Sequence, residues 1–279
     1  MPAGNDGVVT AGGPLTIAVL GAAGRMGGAI IRVIESASDL KLAAAVEHAA
    51  SPRLGADAGA LAGLSPVGVA VTADAPAAGV ASAWIDFSSP AATAATAAAA
   101  VKAGAALVVG TTGVGDAGKQ ALAEAARTIP VVFAPNTSVG VTVLLRLVAE
   151  AARLLGPSFD LEVVETHHRM KRDAPSGTAL RLAEALAEAT GRNLAEDARY
   201  ARQGDVGPRT ASEIGIQTLR GGDVVGDHTV FFLGQGERIE ITHRASSRDT
   251  FAHGAVRAAR WAHGRAPGLY DMRDVLGLR

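Results

Sequence analysis

One stretch concentrates the reactive side chains of this 279-residue chain: Glu165-Thr166-His167-His168-Arg169-Met170-Lys171-Arg172-Asp173-Ala174-Pro175-Ser176-Gly177-Thr178. Imidazoles at His167 and His168 stand beside three fixed cations, Arg169, Lys171 and Arg172. An imidazole can donate a proton near neutral pH, and Lys171 can pair with a carboxylate or donate a proton itself. Neighbours in an extended chain point to opposite sides, so at most one of the two histidines faces a reacting atom directly. Ser176-Gly177-Thr178 opens a helical pattern. It offers two hydroxyls and a closely approachable backbone at the positive end of a helix, a cradle for carboxylate or phosphate. These groups suit a small polyanion that must be protonated. A solvated basic loop and a weak nucleic-acid patch are the plainer alternatives, and a metal site is disfavoured because the spacing matches no recognisable zinc pattern.

A second constellation is Gly21-Ala22-Ala23-Gly24-Arg25-Met26-Gly27, which follows an apolar run and opens a helix. Glycines there allow a sharp turn and close approach to a pyrophosphate. The spacing is G-x-x-G-x-x-G rather than the more familiar G-x-G-x-x-G. Glu47 strengthens the reading, because a carboxylate about 20 residues further on, at the end of the second strand, can accept from ribose hydroxyls. His48, if it faces the ribose, would carry only a partial charge towards a 2′-phosphate, where Arg would carry a full one. Gly110-Thr111-Thr112-Gly113 ends a later strand, where ligands sit in a doubly wound sheet. Gly113–Gln120 is nearly a P-loop, but Gln120 stands where the magnesium ligand belongs, so Gly118 and Lys119 are read as ordinary helix residues. Ala134-Pro135-Asn136-Thr137 ends a strand and either lines a cleft or turns the chain.

The elements that must position these residues follow from periodicity. Strands are predicted at Leu15–Leu20, Leu42–Glu47, Val67–Val71, Ala83–Phe87, Leu107–Gly110 and Val131–Ala134, with helices at Gly24–Ser36, from Pro90 through the alanine run, and at Asp116–Arg127, capped by Asp116. Strand and helix in alternation mean α/β architecture: a Rossmann-type, doubly wound parallel sheet. The second half reads differently. Helices at Val141–Leu155 and Thr178–Thr190 accompany a strand at Leu161–Glu165 and three further runs, Ile214–Leu219, Thr229–Leu233 and Arg238–His243. Strands without intervening helices imply a second α+β domain on a mixed or antiparallel sheet. The boundary falls near Asn136–Ser138, and Phe251–His263 forms the last helix. Asp227, His228, Trp84 and Trp261 are read as packing residues.

Composition narrows the chemistry. With no cysteine, there is no thiolate nucleophile, disulfide or iron–sulfur site. The 26 Lys and Arg against 27 Asp and Glu argue against a broad nucleic-acid surface. The mean hydropathy of +0.24 reflects alanine, which supplies too little transfer free energy for a spanning helix. Residues 1–14 make a poor signal peptide and are read as a loose leader, and the protein as soluble and cytoplasmic.

Five segments carry a family resemblance: G-A-A-G-R-M-G at 21–27, G-T-T-G at 110–113, A-P-N-T-S-V-G at 134–140, the long motif at 165–178, and D-M-R-D-V-L at 271–276. From about Leu15 to the C-terminus the chain resembles the bacterial 4-hydroxy-tetrahydrodipicolinate reductases, long called dihydrodipicolinate reductases, of the diaminopimelate and lysine pathway. The resemblance implies a homotetramer with a Rossmann domain (1–137, completed by 248–279) and a substrate and tetramerisation domain (138–247). It implies reduction of the small dicarboxylate with loss of water, using NADH or NADPH and no metal. His167 falls at the proton-donor position and Lys171 at the second catalytic position. His168, Gly177 and Thr178 fall at substrate positions, beside Ser176. Gly21, Ala22, Ala23, Gly24, Arg25, Met26, Glu47, Gly110, Thr111, Thr112, Ala134, Pro135, Asn136 and Thr137 fall at cofactor positions. His48 stands where several relatives carry Arg, so NADH is expected to serve at least as well as NADPH. Thr137 replaces a larger apolar residue of some relatives, which puts its nicotinamide contact in question. The domains are expected to close over the cleft about hinges near Thr137–Ser138 and Ser246–Arg248. The alternative from another class is a regulatory sensor that binds NAD(H) without turnover.

Overall fold

The computed structural model describes residues 13–76 and 80–278. Most of the expected leader, residues 1–12, lies outside them. The chain divides into two compact units: one runs to Thr137 and is joined by Phe251–Gly277, and the other is Ser138–Thr250.

The first unit is built on strands β1 (Leu15–Leu20), β2 (Leu40–Val46), β3 (Val71–Thr72), β4 (Ala83–Asp86), β5 (Ala106–Val109) and β6 (Pro130–Phe133), with a late strand at Gly268–Tyr270. These form one seven-stranded sheet in which every pairing is parallel. From the late strand inwards the order runs β6-β5-β4-β1-β2-β3. Helices α1 (Arg25–Glu35), α2 (Ala58–Leu61), α3 (Thr93–Ala103) and α4 (Asp116–Ala125) supply the crossovers. Helix α1 lies against β1 and β2 and buries Ile30, Ile31 and Ile34 completely. The alanine run forms α3, whose Ala97 and Ala100 share a core with Trp84, Leu107 and Leu122. Small side chains let that helix approach the large indole closely.

Two expectations are corrected here. The strand expected at Val67–Val71 shrinks to Val71–Thr72, because the Asp57 carboxylate accepts from the N–H groups of Val67 and Gly68 and holds them in a turn. Helix α4 is capped by Gly115, not Asp116; the Asp116 carboxylate instead lies 3.6 Å from Lys119 Nζ on the helix surface.

The second unit contains α5 (Val139–Leu155), β7 (Asp160–His167), α6 (Gly177–Thr190), α7 (Leu194–Asp197), β8 (Ala198–Arg199), β9 (Ile214–Arg220), β10 (Gly226–Leu233) and β11 (Arg238–Ala245). Its sheet has the order β11-β10-β7-β9-β8. Strand β10 is antiparallel to both neighbours, whereas β7, β9 and β8 run parallel, so the sheet is mixed. Serines cap both long helices: Ser138 Oγ accepts from Val141 N, and Ser176 Oγ from Ala179 N. Leu144 and Val148 of α5 and Leu182 and Leu186 of α6 pack with Leu161, Val163, Ile214, Ile216, Val230 and Phe232 into one core. Strand β7 runs two residues beyond the expected Glu165, so His167 is a strand residue and not a loop residue. The chain then returns to the first unit through α8 (Asp249–Ala262), β12 (Gly268–Tyr270, the late strand) and α9 (Met272–Val275). No described helix is long and apolar enough to cross a membrane.

Phe232 is fully buried in the second core. Phe232→Ala is expected to lower unfolding stability by about 3–5 kcal/mol, measured by urea titration. Leu154→Ala, at a position 78% exposed, should stay within about 0.5 kcal/mol of the parent.

Candidate active site

In the first unit, parallel pairing brings chain-distant segments to one edge. Gly21–Gly27 follows β1, Glu47 follows β2, Gly110–Thr112 follows β5 and Ala134–Thr137 follows β6, all at the carboxyl ends of their strands. Gly21 has φ +77°, and a Cβ there would lie 2.6 Å from the Phe87 carbonyl oxygen; a Cβ on Gly27 would lie 2.2 Å from that of Gly21. Only glycine fits at either place, and the turn is tight for that reason. The N–H groups of Gly21 and Ala22 donate to Val46 O, that of Ala23 to Glu47 Oε1, and that of Gly24 to Gly21 O. No side chain caps α1, and its first-turn N–H groups, from Arg25 to Gly27, have no intrahelical acceptor. Glu47 is therefore anchored to the turn, with Oε2 accepting from its neighbour His48 N at 3.2 Å. His48 itself is exposed. These features fit a dinucleotide: a positive helix end beside the sharp turn, and a half-buried carboxylate at the next strand end.

Two of the candidate hydroxyls here bond within the protein. Thr111 is buried, and its Oγ1 donates to the Asp86 carbonyl at 3.3 Å. Thr137 is 1% exposed, and its Oγ1 donates to Phe251 O at 2.7 Å, tying together the two places where the chain crosses between units. Both hydroxyls are engaged within the protein here, and the backbones of both residues lie at the strand ends. Sequence reading missed Asp86 and Ser88, which follow β4 between the Gly21 and Gly110 turns. Asp86 is fully buried, with Oδ1 accepting from Ser88 N at 2.8 Å and Ser88 Oγ at 2.5 Å. Burial pushes its carboxyl up, against those bonds.

In the second unit, alternation along β7 turns Glu165 and His167 to the same buried face and leaves His168 partly exposed beyond it. Glu165 is fully buried, and five hydrogen bonds converge on it. They come from Arg220 Nη1 at 2.8 Å and Nη2 at 2.9 Å, Ser176 N at 3.0 Å, Thr218 Oγ1 at 3.3 Å and His167 Nδ1 at 2.5 Å. Burial alone would raise the Glu165 carboxyl, but Arg220, His167 and the Ser176 amide together hold it below its ordinary value. Burial also lowers His167, a tendency that Glu165 partly offsets. The His228 ring meets that of His167 edge-on at 5.1 Å, and its Nε2 lies 3.1 Å from Ser176 Oγ. Burial, then repulsion from His167, brings His228 to about 4, so it is neutral at ordinary pH.

The remaining residues of the long motif lie around this network. Lys171 Nζ pairs with Asp173 Oδ2 at 3.0 Å. His168 N donates to Val224 O at 2.7 Å, and Arg248 Nη2 approaches His168 Nε2 at 3.3 Å. Gly177 and Thr178 begin α6, with Gly177 exposed. Ser176 is 2% exposed, and its hydroxyl serves the helix cap and contacts His228. Sequence reading also missed Arg220 and Thr218, and His228, taken as packing, proves to touch the network. Only strand register brings β9 and β10 beside β7, so no spacing in the chain marks them. Among the described residues, no group of three or more His, Asp or Glu is placed to hold a metal ion.

This arrangement has relatives. Residues 15–137 match the family model described as dihydrodipicolinate reductase, N-terminus, and residues 140–276 the model for its C-terminus. A 4-hydroxy-tetrahydrodipicolinate reductase of Anaeromyxobacter dehalogenans (strain 2CP-C) is 58% identical, with 94% of this chain and 98% of the relative covered. That of Myxococcus xanthus (strain DK1622) is 54% identical, covering 94% and 97%. Among solved structures, the dipicolinate-bound dihydrodipicolinate reductase from Paenisporosarcina sp. TG-14 shares the fold, with a TM-score of 0.70 over 92% of this chain and 97% of that one at 21% identity. Two family models that together span nearly all of the described chain, and relatives of this identity over nearly full length, place the chain in the 4-hydroxy-tetrahydrodipicolinate reductase family.

Proposed function

We propose that this protein reduces 4-hydroxy-tetrahydrodipicolinate to tetrahydrodipicolinate with loss of water, in diaminopimelate and lysine biosynthesis, at the expense of NADH or NADPH. Family membership over nearly the whole chain is the observation that carries this reading. The first unit holds the dinucleotide: the N-terminus of α1 faces the pyrophosphate and Glu47 the adenosine ribose. When bound, the reduced nicotinamide supplies the hydride. The second unit holds the dianion. Lys171 exchanges Asp173 for a substrate carboxylate, with His168, Gly177 and Thr178 as further contacts. His167 supplies the balancing proton from Nε2. The same family reading supports a homotetramer, assembled through the second unit, and a cytoplasmic enzyme.

Coupling the purified protein to a dihydrodipicolinate synthase that makes fresh substrate should give oxidation of NADH or NADPH at 340 nm. No oxidation of either would overturn the activity. His167→Gln is expected to lose about 10²-fold in kcat with cofactor affinity intact. A protein that kept its turnover would place the proton donor elsewhere.

Cofactor preference turns on His48. It is exposed and follows the anchored Glu47, so an imidazole rather than a guanidinium fork would meet a 2′-phosphate there. NADH should serve at least as well as NADPH, and His48→Arg should shift kcat/KM towards NADPH. A strong preference of the parent protein for NADPH would contradict this.

A further inference from the structure

Three features determine what His167 can do, and only one is covalently near it. Glu165, two residues back on β7, places a carboxylate oxygen 2.5 Å from Nδ1. Arg220, from β9, donates to both oxygens of that carboxylate, Nη1 to the Oε2 that meets His167 and Nη2 to Oε1. Gly226, the first residue of β10, runs so close that a Cβ there would lie 2.9 Å from His167 Nε2. A carboxylate oxygen only accepts, so the neutral imidazole beside it must carry its proton on Nδ1. Nε2 then has a lone pair when the ring is neutral and a proton when it is charged. It has no hydrogen-bond partner among the described residues.

We propose that Glu165, braced by Arg220, is a positioning residue that fixes His167 in the Nδ1–H form, and that the bare backbone of Gly226 keeps Nε2 open as the one nitrogen that exchanges a proton with substrate. The proposal rests on His167 being the proton donor. In the forward direction the imidazolium gives its Nε2 proton to the substrate. The Nδ1 proton stays between His167 and Glu165, and water restores the Nε2 proton afterwards. The charged and titratable groups around the ring are Glu165 on its own strand, Lys171 in the following loop, Arg220 on β9 and His228 on β10. Burial lowers His167 overall, and Glu165, the one negative charge in direct contact with the ring, opposes that by favouring the imidazolium.

The test uses the full-length protein labelled with 15N in its histidines. Two-bond 15N–1H spectra, with His167 assigned by its loss in His167→Gln, should show the Nδ1–H form in the parent protein. Glu165→Gln should lose that form, lower kcat about 10²-fold with little change in substrate KM, and move the alkaline limb of kcat/KM to lower pH. Glu165→Asp should restore part of the rate. If Glu165→Gln fails to fold, Glu165→Gln with Arg220→Met removes both buried charges together, and the same shifts are expected. Gly226→Ala should lower kcat while leaving the tautomer unchanged. An Nε2–H form in the parent protein, or a pH limb that Glu165→Gln leaves in place, would overturn the proposal. Full turnover by His167→Gln would overturn the donor assignment instead, a result separable from the tautomer spectra.

Discussion

A carboxylate removed from water has to be matched on nearly every lone pair, and Glu165 imposes that demand on the whole second unit. Its partners come from three directions: Arg220 and Thr218 from β9, the Ser176 amide from the start of α6, and His167 from its own strand. Losing one partner of such a pair leaves an uncompensated charge worth about 3–5 kcal/mol. An apolar replacement of the whole pair is often neutral or stabilising, so net stability is a weak reason for placing charges here. What the network does is geometric. It sets where β9 lies beside β7, where α6 begins, and which nitrogen of His167 points away from the carboxylate.

The two units meet negative charge in different ways. The first offers backbone, a glycine turn and the first N–H groups of α1, with Arg25 opening that helix. That suits a pyrophosphate held by close approach. The second relies on side chains, with Lys171, His168 and Arg248 near the end of β7. Lys171 has Asp173 as a partner at 3.0 Å, with the Asp173 side chain well exposed. A local cationic cluster of this kind is invisible in the net charge of −1.

Some of this was legible in the chain and some was not, for identifiable reasons. The alternation of strands and helices up to Phe133, the glycine turn and the motif at 165–178 are local patterns, and the strands and helices they imply appear with ends displaced by a few residues. Other features depended on contacts that the spacing of residues does not mark. Asp57, ten residues away, converts the expected strand at Val67 into a turn. Thr137 is buried because its hydroxyl bonds to Phe251, 114 positions later. Ser176 was correctly set at a helix start, and its hydroxyl serves that cap and contacts His228. Asp116 lost the cap to Gly115, because the extended backbone that a cap requires falls one residue earlier.

By itself, the sequence determined the class of chemistry: no thiol, a dinucleotide turn after the first strand, and an imidazole-rich cationic segment at the entrance to a helix. Those are properties of residue type and short spacing, and they survive whatever the fold does around them. The tertiary structure alone decided which groups act on which. Arg220, Thr218, Gly226 and His228 reach His167 or its carboxylate only because β9 and β10 flank β7 in one sheet. Strand pairing is non-local, so residues separated by fifty positions or more become hydrogen-bond partners without any mark in the chain.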